Sequence, residues 1–157
     1  MLGKYLLAFL ISMVPLIELR LGVPFALGMG LPYFESLIVC VIGNMLPVPF
    51  IYFFARKVLV WGADKKYIGK FFRFCLEKGE KGGQKLRSTA GRGGLFVALM
   101  LFVGIPIPGT GAWTGTLAAS FLNMGIKSTA LAVSLGVVIA GLIMALASTG
   151  VFSIIGL

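Results

Sequence analysis

The chain has 157 residues, of which 59% are hydrophobic, and it carries 14 basic side chains, five acidic side chains and no histidine. This composition excludes an ordinary water-soluble domain, and the length accommodates one membrane domain. The missing histidine excludes a histidine metal site, a Ser-His-Asp triad and a histidine proton relay. Cys40 and Cys75 show no metal-ligand spacing, so we expect no metal and no cofactor.

The chain opens on an apolar run over residues 2–14, followed by a break over residues 15–24 and a second, shorter apolar run. Two prolines and a glycine in the break oppose a continuous helix. Each run is shorter than the ~20 residues that cross a ~30 Å hydrocarbon core. A signal peptide is the alternative, but no small-residue cleavage site follows the run. We therefore predict that residues 1–32 form a re-entrant hairpin with Glu18 and Arg20 in its break.

The first predicted transmembrane helix covers residues 33–55, which are apolar over the length of a full span. Asn44 lies in the middle of this span, and we expect its amide to bond to one of the broken helix tips. The next segment, residues 56–92, contains most of the lysines and arginines and is therefore predicted to be cytoplasmic by the positive-inside rule. Nucleic-acid binding is the alternative explanation, but topology already accounts for this charge, so we expect no nucleic-acid partner.

Part of the basic segment also carries apolar residues at helical spacing beside its lysines, namely Ile68, Phe71, Phe72, Cys75 and Leu76. This pattern predicts an amphipathic helix that lies on an anionic membrane surface. Three glycines follow closely, and we expect Gly79, Gly82 and Gly83 to end that helix.

A second break interrupts the apolar stretch that comes next. The motif Ile105-Pro-Ile-Pro-Gly-Thr-Gly-Ala-Trp-Thr-Gly115 contains two prolines and three glycines, with only a half-span of apolar residues on either side. Its backbone must be surrounded by protein or water, because lipid cannot satisfy its polar groups. We predict a second re-entrant hairpin over residues 93–125, followed by a transmembrane helix over residues 126–150.

The two halves share one layout, and a shift of 93 residues aligns Pro15 with Pro108 and Gly43 with Gly136. If the basic segment is cytoplasmic, the first hairpin opens outward and the second inward, so the repeats are inverted. Broken helices that meet in mid-membrane are a transporter architecture. The predicted fold is therefore an all-α integral membrane protein with two inverted repeats. Each repeat is a re-entrant helical hairpin plus a transmembrane helix, and the amphipathic cytoplasmic helix lies between them.

Three motifs carry a resemblance to a known family: Pro-Leu-Ile-Glu-Leu-Arg-Leu-Gly-Val-Pro at residues 15–24, the pair Gly43-Asn44, and the motif at residues 105–115. They resemble the small multi-drug export protein family, which is distantly similar to the DedA/VTT membrane proteins. The resemblance covers nearly the whole chain and implies two hairpins that face each other across the membrane. It also implies movement of lipids such as polyprenyl phosphates between leaflets, with proton coupling. Unlike the DedA pattern, the tip of the second hairpin is uncharged.

The two breaks together form the predicted substrate site. The guanidinium of Arg20 suits an anionic headgroup, and Glu18 suits a proton acceptor, although the two charges alternatively form a structural pair that locks the hairpin tip. Backbone N–H groups at the second break are expected to form an anion-binding nest, unless its glycines only permit close packing. The predicted substrate-binding residues are Glu18, Arg20, Asn44, Pro106, Pro108, Gly109, Thr110, Gly111, Trp113 and Thr114.

These features favour a multi-pass cell-membrane transporter or lipid translocase that moves an anionic lipid or small amphiphile, with protons as the coupling ion. The alternatives are a proton-coupled exporter of cationic drugs, in which Glu18 pairs with the substrate, and a non-transporting structural membrane protein. We expect no enzymatic activity, because one intramembrane carboxylate does not make a metal site. The expected partners are membrane lipids, and a homodimer is favoured because two spans and two hairpins enclose little interior.

Overall fold

The structure is a computed structural model that describes residues 2–15, 17–107 and 110–155. Within these ranges the chain is helical, without a strand, which confirms the predicted all-α fold. The helices are α1 Leu2–Met13, α2 Glu18–Gly28, α3 Tyr33–Met45, α4 Val48–Ala63, α5 Gly69–Gly104, α6 Ala112–Phe121 and α7 Ile126–Ile155.

Two stretches are long and apolar enough to cross a membrane. The first is Tyr33–Ala63, in which α3 and α4 follow each other directly, with a mean hydropathy of 2.1. The second is Ile126–Val151 in α7, with a mean hydropathy of 2.6. Pro49 in the first turn of α4 lacks an N–H, which explains the short turn between α3 and α4. Helix α4 ends at Ala63, beyond the predicted boundary at residue 55.

The helices pack as two groups that meet along α2, α6 and α7. Helix α1 packs against α2 and α3, and α5 packs against α6 and α7. The groups are joined because α2 contacts α7 and α4 contacts α6. Small side chains line the buried face of α6, which lets its backbone approach its neighbours closely. This packing brings the start of α2 and the start of α6 to the same place in the molecule.

The same local geometry recurs in both halves at a spacing of 93 residues. Helix α2 ends with Leu31 N–H bonded to the Ala26 carbonyl at 3.2 Å, and α6 ends with Met124 N–H bonded to the Ala119 carbonyl at 3.0 Å. Each turn contains a residue in the left-handed region: Gly30 has a φ of 77° and Asn123 a φ of 55°. The helices that follow begin at equivalent positions as well.

Helix contacts inside each half also correspond. A Cβ added to Gly43 in α3 would lie 2.5 Å from the carbonyl oxygen of Phe9 in α1. A Cβ added to Gly136 in α7 would lie 2.7 Å from the carbonyl oxygen of Met100 in α5. In both halves, a glycine therefore lets the first helix lie directly against the third.

These contacts predict that Gly43→Ala and Gly136→Ala each destabilise the fold. Because the opposing atom belongs to the backbone, it cannot rotate away, and overpacking of this kind costs about 1–3 kcal/mol. Gly150→Ala in α7 is the matched control, since a Cβ there has no neighbour within 4 Å. Thermal unfolding in detergent should show lower midpoints for the first two variants only. Equal midpoints for Gly136→Ala and Gly150→Ala would contradict the close approach.

The first break is shorter than the predicted one over residues 15–24. Helix α2 begins at Glu18 and continues through Gly22 and Pro24. A membrane-type helix tolerates one proline where neighbouring helices surround it, and Val23 and Ala26 beside Pro24 are fully buried. The second break is also shorter than the predicted motif, because α6 already begins at Ala112.

The predicted end of the amphipathic helix at Gly79, Gly82 and Gly83 is wrong. Helix α5 continues through these glycines, and the interruption lies at Gly91, which has φ 70° and ψ −176°. A helical glycine costs only about 1 kcal/mol relative to alanine, which weakens a helix without ending it. The left-handed φ at Gly91 is what separates the basic part of α5 from its apolar part.

Candidate functional site

The break between α5 and α6 is held in shape by its own threonines. The Thr110 hydroxyl lies 2.8 Å from the Ile105 carbonyl oxygen and 2.9 Å from that of Ile107. The backbone N–H of Gly111 donates to the Thr114 hydroxyl oxygen at 2.8 Å. The turn therefore satisfies several of the polar groups that the interrupted helix leaves without partners.

The carboxylate of Glu18 caps the start of α6. Its two oxygens accept hydrogen bonds from the N–H groups of Ala112, at 3.0 Å, and Trp113, at 3.2 Å. Glu18 is only 4% exposed, and it is the first residue of α2, with a left-handed φ of 49°. A negative charge at the positive end of a helix dipole is stabilising, so the burial of this carboxylate is compensated.

Gly111 makes room for that carboxylate. A Cβ at position 111 would lie 1.8 Å from Glu18 Oε2, which no real structure permits. The φ of Gly111 is −135°, a value open to any residue, so the requirement for glycine is one of space. The close approach of α2 to α6 thus depends on this one missing side chain.

Arg20 binds the other side of the same break. Its Nη2 donates to the Thr110 hydroxyl oxygen at 2.7 Å and to the Ile105 carbonyl oxygen at 3.3 Å. Ile105 directly follows the last residue of α5, so the guanidinium lies at the negative end of that helix. The two charges of α2 are therefore each matched to the helix end of opposite sign.

The second break also binds the first. The indole Nε1 of Trp113 donates to the carbonyl oxygen of Met13, the last residue of α1, at 3.2 Å. This carbonyl is one of the groups that the end of a helix leaves unsatisfied. The contacts made by Glu18, Arg20 and Trp113 therefore join the two breaks in both directions.

A small cavity of about 10 Å³ lies beside this junction. Its walls come from both halves of the chain and comprise Glu18, Leu19, Arg20, Asn44, Val103, Gly111, Ala112, Val137 and Ala140. Asn44 is 2% exposed, and its Oδ1 has no hydrogen-bond partner among the described residues. Within the described residues this oxygen therefore makes no bond to a broken tip, although Asn44 does lie beside the tips.

The structure brings most of the predicted site residues together. Glu18, Arg20, Thr110, Gly111, Trp113 and Thr114 are linked by the contacts above, and Pro106 is half-buried in the same turn. Pro108 and Gly109 lie outside the described residues. Glu18 and Arg20 bond to the second break instead of forming the structural pair considered from the sequence. Whether these residues bind a substrate stays a prediction.

The predicted anion-binding nest is not formed by Thr110 and Gly111, because their N–H groups donate to Ile107 and Thr114. The N–H groups that do point at an anion belong to Ala112 and Trp113, and the anion is the carboxylate of Glu18. Sequence reasoning missed Ala112, Ile105 and Met13, which take part through backbone atoms. Contacts through backbone atoms do not depend on residue type. The sequence therefore indicated them only through the predicted helix ends beside each break.

Comparison with known families gives a match over most of the chain. The sequence model of a family described as small multi-drug export protein matches residues 18–143. The matched region begins at Glu18 and contains both charged residues of α2, the cavity and the second break. Searches of curated proteins and of solved structures gave no match.

Proposed function

Because the chain belongs to the small multi-drug export protein family, we propose that it is a membrane exporter whose substrate is an anionic amphiphile bound at Arg20. The family and the two long apolar helices make it a membrane protein. The nature and charge of the substrate, and the orientation of the helices, are the parts that we propose.

The observation that carries the proposal is the unused bonding capacity of Arg20. Among the described residues, its guanidinium donates through Nη2 only, and Nε and Nη1 bond to none of them. The side chain is half-buried, so part of it is open to an incoming ligand. A guanidinium has five N–H donors that match the paired oxygens of a phosphate or carboxylate. Each oxygen of Glu18, in contrast, already accepts an N–H of α6.

The proposed architecture is the inverted, re-entrant one. Helices α1 and α6 have 12 and 10 residues, which correspond to about 18 Å and 15 Å, or roughly half of a ~30 Å hydrocarbon core. The recurring contacts of the two halves support a repeat, and the basic residues before Gly91 favour a cytoplasmic location for that end of α5. In this arrangement the joined breaks lie near mid-membrane, where transporters of this type bind their substrates.

The contacts also indicate how transport would proceed. A substrate anion would compete with the Thr110 hydroxyl and the Ile105 carbonyl for the guanidinium of Arg20. Protonation would remove the negative charge of Glu18 and one of its acceptor sites, so the junction between the breaks would weaken. The two breaks would then alternate between a joined and a separated state as a proton and a substrate are exchanged.

Reconstitution in liposomes tests this proposal. We expect wild type to move a labelled polyprenyl phosphate, and Arg20→Ala to slow the transport at least about tenfold, because charged hydrogen bonds of about 1.5–3 kcal/mol are lost. Lys70→Ala, which removes a positive charge from an exposed position of α5, should transport at the wild-type rate. Arg20→Lys should recover only part of the rate, since an ammonium cannot bind in a bidentate way.

The opposite results are equally informative. Transport of a cationic dye, with no movement of the phosphate lipid, would favour the cation exporter, in which Glu18 carries the substrate. Equal rates for wild type and Arg20→Ala would show that the guanidinium only holds the break together. The proposed substrate class would then be wrong.

A further inference from the structure

We propose that the cavity beside the joined breaks is a binding site for a single water molecule, which donates hydrogen bonds to Asn44 and Glu18. This site does not depend on the identity of the exported substrate. It follows from one unsatisfied side chain and from the size and walls of the cavity.

The first step is the unsatisfied acceptor. Asn44 Oδ1 is buried and has no donor among the described residues, and such an oxygen is costly unless a partner reaches it. Asn44 follows Gly43, whose contact with the backbone of Phe9 fixes this part of α3 against α1. The amide is therefore held at the cavity wall by the packing of its own helix.

The second step is the size of the cavity. About 10 Å³ is close to the smallest volume that holds one water molecule. An organic substrate does not fit, and neither does a hydrated ion. The occupant is therefore a single small molecule or ion.

The third step is the chemistry of the walls. Asn44 Oδ1 and the carboxylate of Glu18 are both acceptors, so an occupant between them must donate to both, as a water molecule does. Arg20 borders the same cavity, and its positive charge disfavours a metal cation there. Hard cations also take about six oxygen ligands, and only two side chains here supply acceptor oxygens.

The position of the cavity gives the water its role. Glu18 is 4% exposed, and α6 covers the face of its carboxylate that caps the helix. Glu18 borders the cavity, so a water there adds a hydrogen bond to the carboxylate and stabilises its charge while the breaks are joined. Asn44 and Val137 hold equivalent positions in the two halves, 93 residues apart, and both line the cavity. Only the first half supplies the amide.

Two variants distinguish a cavity that holds water from an empty one by the sign of the change in Tm. Asn44→Leu removes the acceptor, and Val137→Leu adds a methylene group to the opposite wall. If the water is present, both expel it and strip a donor from Glu18, so both should lower Tm. If the cavity is empty, Asn44→Leu removes an unsatisfied group and Val137→Leu fills a void, so both should raise Tm.

Two further measurements keep the proposal testable if a leucine variant fails to fold. A map of the wild-type protein at a resolution that shows ordered water should contain one peak within hydrogen-bond distance of Asn44 Oδ1 and a Glu18 oxygen. An empty cavity would overturn the proposal. So would a wild-type Tm that rises in sodium chloride but not in potassium chloride at equal ionic strength, because the occupant would then be a sodium ion.

Discussion

Gly111→Ala is expected to prevent the two breaks from joining and to lower the yield of folded protein strongly. The new Cβ would lie 1.8 Å from Glu18 Oε2 and 2.3 Å from its Cδ. The carboxylate must therefore leave the start of α6, and a buried charge that loses its partners costs about 3–5 kcal/mol. The Tm of purified protein in detergent, together with its yield in the monodisperse peak of a size-exclusion column, measures this effect.

Gly125→Ala is the matched control for this substitution. Position 125 also lies next to the first residue of a helix, but a Cβ there has no neighbour within 4 Å. We expect its Tm to stay near that of wild type. A Gly111→Ala protein that is as stable as Gly125→Ala would show that α2 and α6 are not in contact at this point.

A double-mutant cycle identifies the partner of Gly111. The three atoms nearest to a Cβ at position 111 all belong to the Glu18 side chain, so Gly111→Ala should cost little once Glu18 is replaced by alanine. The double variant should therefore be about as stable as Glu18→Ala, so that the coupling energy between the two positions equals the cost of Gly111→Ala alone, about 3–5 kcal/mol. Additive effects would mean that Gly111 acts through another contact.

The sequence was most informative where an unusual residue type interrupted an apolar stretch. Glu18 and Arg20 predicted a polar junction because charges in an apolar segment need partners, and the motif at residues 105–115 predicted a second break because of its prolines and glycines. The structure joins these two segments. It does so with each charge bonded to a helix end, an arrangement that residue types alone do not specify.

The sequence was least informative about where helices end. Pro24 and Gly79 both lie inside helices. Tertiary packing compensates for the proline at position 24. The cost of a helical glycine at position 79 is too small to end the helix. Gly91 ends a segment only through its left-handed φ, and that angle is not visible in residue identity. Asn44 illustrates the same limit, since its mid-span position predicted a polar partner but not the cavity that it faces.

Replacement of Glu18 by glutamine is expected to destabilise the protein without changing the volume of the side chain. The single oxygen of the amide can still accept one N–H of α6, but the NH₂ group would face the other N–H, so two donors oppose each other. The loss of negative charge at the start of α6 adds to this, and we expect a total cost of about 2–3 kcal/mol. Thermal unfolding at neutral pH, compared with wild type, gives the measurement.

Glu35→Gln is the control for loss of charge alone. Glu35 is exposed at the start of α3, where it accepts a hydrogen bond from the Tyr5 hydroxyl, and its replacement should cost less than about 1 kcal/mol. If Glu18→Gln matches this small effect, the cap of α6 contributes little, and Glu18 is free to serve a cationic substrate. If Glu18→Gln is much less stable than Glu35→Gln, the negative charge itself keeps the breaks joined, and a proton bound at Glu18 would favour their separation.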